Sequence, residues 1–223
     1  MRQIAYVLID FDNIDKSLRT NNLELENRLY RIITSHKIYQ EINLRFYGGW
    51  DYKKNLSYSA RALLPWIHSY PHLINKTILN AELVRSLAFE TTDLPYTFRR
   101  RNKNYIFDVD IAKICRNDPS CDLYLIHTVL NNHNCCTKDI FSTFLFNEQK
   151  LIDTMICTDL LYLSTLKIAD LFLVSSDDDF IPIIRYLCFL GNSISIIHTH
   201  PLPFSIKKEY TSGFRSQIFE MRL

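Results

Sequence analysis

Glycine is scarce: the 223-residue chain has 4, Gly48, Gly49, Gly191 and Gly213, against a usual share of about 7%. A phosphate-cradling P-loop, a dinucleotide-binding turn and a nucleophile elbow all need glycines at fixed short spacings, and none of those spacings occurs. An HExxH motif is missing too, since the pair at that spacing, His68 and His72, has Ser69 in place of the glutamate, as is any apolar run near the roughly 18 residues of a membrane span, so no membrane partner is expected. There is no excess charge of one sign. With 26 basic and 24 acidic side chains the balance is +2, and a charged partner must be met by a local patch. The N-terminal run Met-Arg-Gln-Ile-Ala-Tyr-Val-Leu-Ile-Asp has no small-residue cleavage site and ends in a carboxylate, which reads as a first strand rather than a leader. Six cysteines in a chain this long, Cys135 and Cys136 adjacent, do not make a secreted disulfide framework, so a reducing cytoplasm is the expected location.

What is present suits a packed core: 47% of residues are hydrophobic and 22% charged, at a length that fits one domain, or one domain with an insertion. Ile4 to Ile9 is a continuous apolar run closed by Asp10, as expected of a strand buried on both faces of a parallel sheet. Leu23 to Ser35 has the apolar spacing of a crossover helix. Ile42 to Tyr47 reads as a second strand, Ser57 to Ser69 as a second helix interrupted or kinked by Pro65, and Ile78 to Phe89 as a third strand. Periodicity then fails over 90–149, which reads as an insertion. It returns with a helix over Leu151 to Leu166, a strand Leu171 to Ser175, a helix Phe180 to Leu190 ended by Gly191, and a strand Ser193 to His198. Strand and helix alternating in this way predict a three-layer α/β fold with right-handed crossovers.

Acidic residues stand where such a sheet places its chemistry, outside the carboxyl ends of strands. Asp10 and Asp12 follow the first strand with Asn13 beside them, Asp177, Asp178 and Asp179 follow a later one, and Asp153 opens the helix before it. Any single aspartate there serves equally as a turn or cap residue. Asp178 is expected to cap the following helix, and Asp12 to form the turn. Convergence of several carboxylates on one pocket would instead be severely repulsive without a cation. A hard divalent ion resolves that repulsion, can activate water and neutralises a phosphodiester.

The residues Val7-Leu8-Ile9-Asp10-Phe11-Asp12-Asn13-Ile14 resemble the opening strand of the NYN domains, a branch of the PIN-like nucleases, with an Asp followed three residues later by Asn. Lys150-Leu151-Ile152-Asp153, with Asp159 six residues on, is similar to their K-x-x-D helix. Val174-Ser175-Ser176-Asp177-Asp178-Asp179-Phe180, followed by Ile181-Pro182-Ile183-Ile184 and then Gly191, is similar to their V-S-G-D-x-D-F segment, with Ser176 in place of the glycine. The resemblance covers roughly residues 1–90 and 148–199. It implies a single domain over 1–223 with a three-layer, Rossmann-like, PIN-like fold, a central mainly parallel sheet and an inserted cysteine-containing segment. It also implies a metal-dependent ribonuclease that hydrolyses phosphodiester bonds endonucleolytically in single-stranded or loop RNA. By that carry-over Asp10, Asp153, Asp177 and Asp179 would bind Mg²⁺ or Mn²⁺ directly or through water, and Asn13 would orient a ligand or phosphate. Asp159 is a secondary metal candidate, because six helical residues rotate it away from Asp153.

Within the insertion, Arg99, Arg100, Arg101 and Lys103 interleave with Tyr96, Phe98 and Tyr105, the composition of a groove that tracks a single strand by phosphate contact and stacking. A solvated charged loop is the alternative. Cys115, Cys121, Cys135 and Cys136, with His127 and His133 between them, could furnish a structural Zn²⁺ site, with buried free thiols as the alternative. Rival functions stay open. Ile9-Asp10-Phe11-Asp12 also resembles the D-x-D motif of haloacid-dehalogenase-type Mg²⁺ phosphatases, in which Asp10 would accept the phosphoryl group and Asp12 act as general acid. A non-catalytic RNA-binding module, DNA as substrate, and a homo-oligomer are open as well.

Overall fold

A computed structural model describes residues 3–35, 37–52, 55–94, 98–100, 147–149, 151–200, 213–214 and 216–223, with the backbone alone for 52, 98–100 and 147–149. One seven-stranded sheet contains β1 (Ile4–Asp10), β2 (Glu41–Tyr47), β3 (His72–Ile74), β4 (Thr77–Leu83), β5 (Ala169–Val174), β6 (Ile194–His198) and β7 (Ile218–Arg222). Their spatial order is β7-β6-β5-β1-β2-β4-β3. Neighbours run parallel except β3 and β4, an antiparallel hairpin. Its turn residues Asn75 and Lys76 both have positive φ, 48° and 70°, the mirror-image turn that matches strand twist.

Helices pack on both faces. On one, α1 (Asn22–Thr34) and α2 (Tyr58–Ile67) cover Val7, Ile9, Leu44 and Phe46; on the other, α3 (Ile152–Leu166) and α4 (Ile181–Phe189) cover Leu8, Tyr47, Leu171 and Leu173. The alternation along β1 sends successive side chains to opposite cores, which is why this strand is apolar from Ile4 to Ile9. α1 begins where the Asn21 side chain accepts from the Glu24 N–H at 3.2 Å, and it buries Leu25, Leu29 and Ile33, one stripe at helical spacing. Ser57 caps α2, which continues through Pro65 to Ile67. At the end of α4, Gly191 has φ 80° and its N–H bonds the Cys188 carbonyl while Asn192 N–H bonds that of Leu187, a paired arrangement that needs the left-handed residue.

Three expectations change. The strand expected over 78–89 ends at Leu83, and beyond it Leu87, Ala88 and Leu94 pack irregularly against the second core. β3 and β7 are strands where none was expected. The chain divides into two compact units, 1–98 with 149–223, and 99–148, so the inserted unit starts later than residue 90. A separate two-stranded ladder joins Phe98–Arg100 to Asn147–Gln149. The rest of 99–148 lies outside the described residues.

Candidate functional site

The sheet reverses its winding beside β1: β2 and β4 follow on one side, β5, β6 and β7 on the other. Ligands of open α/β sheets bind in the crevice outside the carboxyl ends of the two strands at such a point. Ile9 pairs with Val174, so Asp10, the last residue of β1, faces the residue after β5. The Ser175 hydroxyl donates to Asp10 Oδ2 at 3.0 Å, and its own Oγ accepts from the Asp177 N–H at 3.1 Å. Asp10 is 5% exposed. Burial pushes its carboxyl up to about 7; the Ser175 bond opposes this, while the charges of Asp153, Asp12 and Asp177 add to it. Asp153 and Asp179 in turn act together on Cys157, whose thiol is raised to about 11 by burial first and then by these two carboxylates. Cys157 is therefore a protonated packing group rather than a nucleophile. Asp10, Asp153, Asp177 and Asp179 thus share one electrostatic neighbourhood, with Asp10 buried, Asp177 half-buried, and Asp153 and Asp179 exposed.

Asn13 closes the turn after β1 and ties together three strand ends. Its Oδ1 accepts from the Ser176 N–H at 3.1 Å and from the Thr199 hydroxyl at 2.7 Å. Ser176, standing where the resembling segment has glycine, uses its hydroxyl to accept from the His200 N–H at 2.9 Å. Ser175, Ser176 and Thr199 were not singled out by the sequence; their one signal is position, directly after the carboxyl ends of β5 and β6.

The other aspartates of these loops do different work. Asp12 accepts from the Gly49 N–H at 3.1 Å and lies 3.5 Å from the Arg19 guanidinium, joining the turns after β1 and β2 as expected of a turn residue. Asp177 Oδ1 accepts from the Asp179 N–H at 3.0 Å and caps the single turn Asp178–Phe180, while α4 has Phe180 at its N-cap position and no side-chain cap, so the cap expected of Asp178 is not made. Gly48 is required by close approach: a Cβ there would sit 2.7 Å from the buried Trp50 ring and 3.1 Å from Asp12 Oδ2. Gly48→Ala is expected to lower stability by about 1–3 kcal/mol through overpacking, measured by urea denaturation; an unchanged midpoint would mean that the indole shifts freely.

Asp159 is not brought to the acidic cluster. It is fully buried, accepting from Arg45 Nη2 at 2.9 Å and the Tyr47 hydroxyl at 2.6 Å on one oxygen, and from the Ala88 N–H at 2.7 Å on the other. Arg45 also pairs with Glu82 and donates to the Tyr47 hydroxyl at 3.0 Å. Burial alone would weaken the Arg45 charge, but Tyr47, Glu82 and Asp159 more than offset it and raise its pKa. With both oxygens satisfied by protein donors, Asp159 is a structural anchor and not a metal ligand, correcting its secondary candidacy.

Among the described residues, no group of three or more His, Cys, Asp or Glu side chains is arranged to hold a metal ion. The donor chemistry nevertheless suits a hard cation, since Asp10 is held against ionisation partly by neighbouring carboxylates, a repulsion that Mg²⁺ or Mn²⁺ would relieve. A cavity of about 650 Å³ lies elsewhere, between the end of α1 and one face of β5, β6 and β7, lined by Tyr39, Phe172, Ser195 and Phe219. It contains none of the cluster carboxylates. Arg101, Lys103, Cys115, Cys121, Cys135 and Cys136 lie outside the described residues, and the side chains of Arg99 and Arg100 with them. No described helix is long and apolar enough to cross a membrane. Comparison of the chain with family models, curated proteins and solved structures finds no match.

Proposed function

We propose that this chain is a metal-dependent ribonuclease of the PIN-like kind, with a site related to that of the NYN domains, cutting phosphodiester bonds in single-stranded or loop RNA. The observation that carries it is the buried Asp10 at the sheet's winding reversal, kept from ionising in part by Asp153 and Asp177. Asp10, Asp153, Asp177 and Asp179 would hold Mg²⁺ or Mn²⁺. When bound, the ion supplies activation of water and neutralisation of the scissile phosphate. Ser175 holds the Asp10 carboxylate and the Asp177 backbone from a single hydroxyl, fixing two donors relative to each other. Asn13 offers its amide to a phosphate oxygen. No protein nucleophile is needed. Arg99, Arg100, Arg101 and Lys103 would track the strand.

The phosphatase alternative needs Asp12 as a mobile proton donor, whereas Asp12 is tied to the Gly49 N–H and the Arg19 guanidinium, contacts that hold the carboxylate in place. The test is cleavage of end-labelled single-stranded RNA, matched DNA and a phosphomonoester with Mn²⁺ or Mg²⁺, beside EDTA, Asp177→Asn and Asp12→Asn. RNA cleavage abolished by EDTA, reduced about 100-fold or more by Asp177→Asn and mildly by Asp12→Asn is expected. Hydrolysis of the monoester alone, lost with Asp12→Asn, would establish the phosphatase instead. RNA binding without turnover would make this a binding module.

A further inference from the structure

The Asn13 carboxamide is oriented without ambiguity. A backbone N–H can only donate, so the atom facing Ser176 N at 3.1 Å must be the oxygen. The Thr199 hydroxyl also donates to that oxygen, at 2.7 Å. The Ser176 hydroxyl, 3.2 Å from that of Thr199, accepts from the His200 N–H at 2.9 Å and donates toward the His200 carbonyl at 3.4 Å. The planar amide then has its nitrogen edge turned away from both partners. Among the described residues that nitrogen makes no hydrogen bond, and Asn13 is half-buried at the same carboxyl edge as Asp10 and Asp177.

We propose that Thr199 is a positioning residue, which with the Ser176 N–H locks the Asn13 carboxamide so that its two N–H donors meet a non-bridging oxygen of a substrate phosphate. This rests on the nuclease reading for the identity of the ligand. A neutral donor suits the place: it binds an anionic oxygen beside the acidic cluster without competing for the cation. Thr199 has no charge and does not touch the substrate; it acts through Asn13.

The test uses Thr199→Val, which keeps the shape and removes the donor, Thr199→Ser, which keeps the donor, Asn13→Ala, and the Asn13→Ala/Thr199→Val pair. KM and kcat for RNA cleavage are measured in Mn²⁺, and the Kd for the same single-stranded RNA in Ca²⁺. Thr199→Val is expected to weaken both KM and Kd about tenfold, the loss of a hydrogen bond to a charged group, with an unchanged thermal midpoint and a smaller effect on kcat. Thr199→Ser should restore both constants. In the Asn13→Ala background Thr199→Val should add nothing, because its effect passes through the missing amide. Wild-type constants in Thr199→Val, or a full additional loss in the double variant, would overturn the proposal. If the wild type binds RNA without cleaving it, the nuclease reading fails alone and the Kd series still decides the role of Thr199. If it neither cleaves nor binds RNA, both fail.

Discussion

Asp159→Ala is expected to destabilise the protein by about 3–5 kcal/mol, the usual cost of removing one partner from a buried ion pair. Against a total stability of roughly 5–15 kcal/mol that is enough to leave a partly unfolded population at ambient temperature. Arg45 has 11% side-chain exposure and would keep only Glu82, which is 55% exposed, as a charged partner. The Ala88 N–H would lose its acceptor as well, loosening the segment after β4 from α3. Urea denaturation without metal measures the loss. Asp159→Asn should cost less, since the amide oxygen can still accept. A loss under about 1 kcal/mol would show that water repartners Arg45 and that α3 is held by its apolar face alone. The comparison also separates anchor from ligand: a metal ligand would leave metal-free stability nearly unchanged and abolish stabilisation by Mn²⁺.

Asp10→Asn has the opposite signature, expected to abolish cleavage while stabilising the fold. An acid raised from 3.8 to about 7 in the folded state binds more protons folded than unfolded between those values. Stability contributed at this position is therefore fullest below about pH 4 and falls as pH rises toward 7, then levels off. Asparagine removes that dependence. The gain above pH 7 is on the order of 1–4 kcal/mol, with the upper end set by the shift itself, and it should vanish near pH 4. Melting curves across pH 4–8 in EDTA give the difference directly. Millimolar Mn²⁺ at pH 8 should raise the midpoint of the wild type and not of the variant, because binding to the folded state alone shifts the equilibrium toward it. A variant that is destabilised at pH 8 would show that the Asp10 charge is already compensated by protein groups.

Local pattern carried much of this architecture. The apolar runs at Ile4 and Leu171, the alternating segment from Ile42 and the spaced stripe of Leu25, Leu29 and Ile33 are properties of neighbouring residues, and each produced the expected element. β3 was hidden because its three residues are too few for a period and follow Pro71; its signal was the Asn75–Lys76 turn. β7, with Glu220 and Arg222 between apolar residues, is an edge strand, and an edge exposes part of its surface and so loses the continuous apolar signature. Asp177 caps the turn Asp178–Phe180, and Asp178 does not cap α4, because the turn geometry sets which carboxylate reaches a free N–H, and a run of three aspartates carries no mark of it.

By itself the sequence determined that this chain alternates strand and helix, and that Asp10, Asp153, Asp177 and Asp179 stand at strand or helix ends, since periodicity and chain order suffice for both. Which side chains meet was decided by the sheet order. Placing β5 against β1 brings Ser175 to Asp10 across 165 positions of sequence, and placing β6 next to β5 brings Thr199 to Asn13 across 186. The same packing took Asp159, chemically identical to its neighbours in the sequence, and buried it against Arg45 and Tyr47. A carboxylate's role follows from whether donors, cations or other carboxylates surround it, and those surroundings exist only once distant strands are side by side.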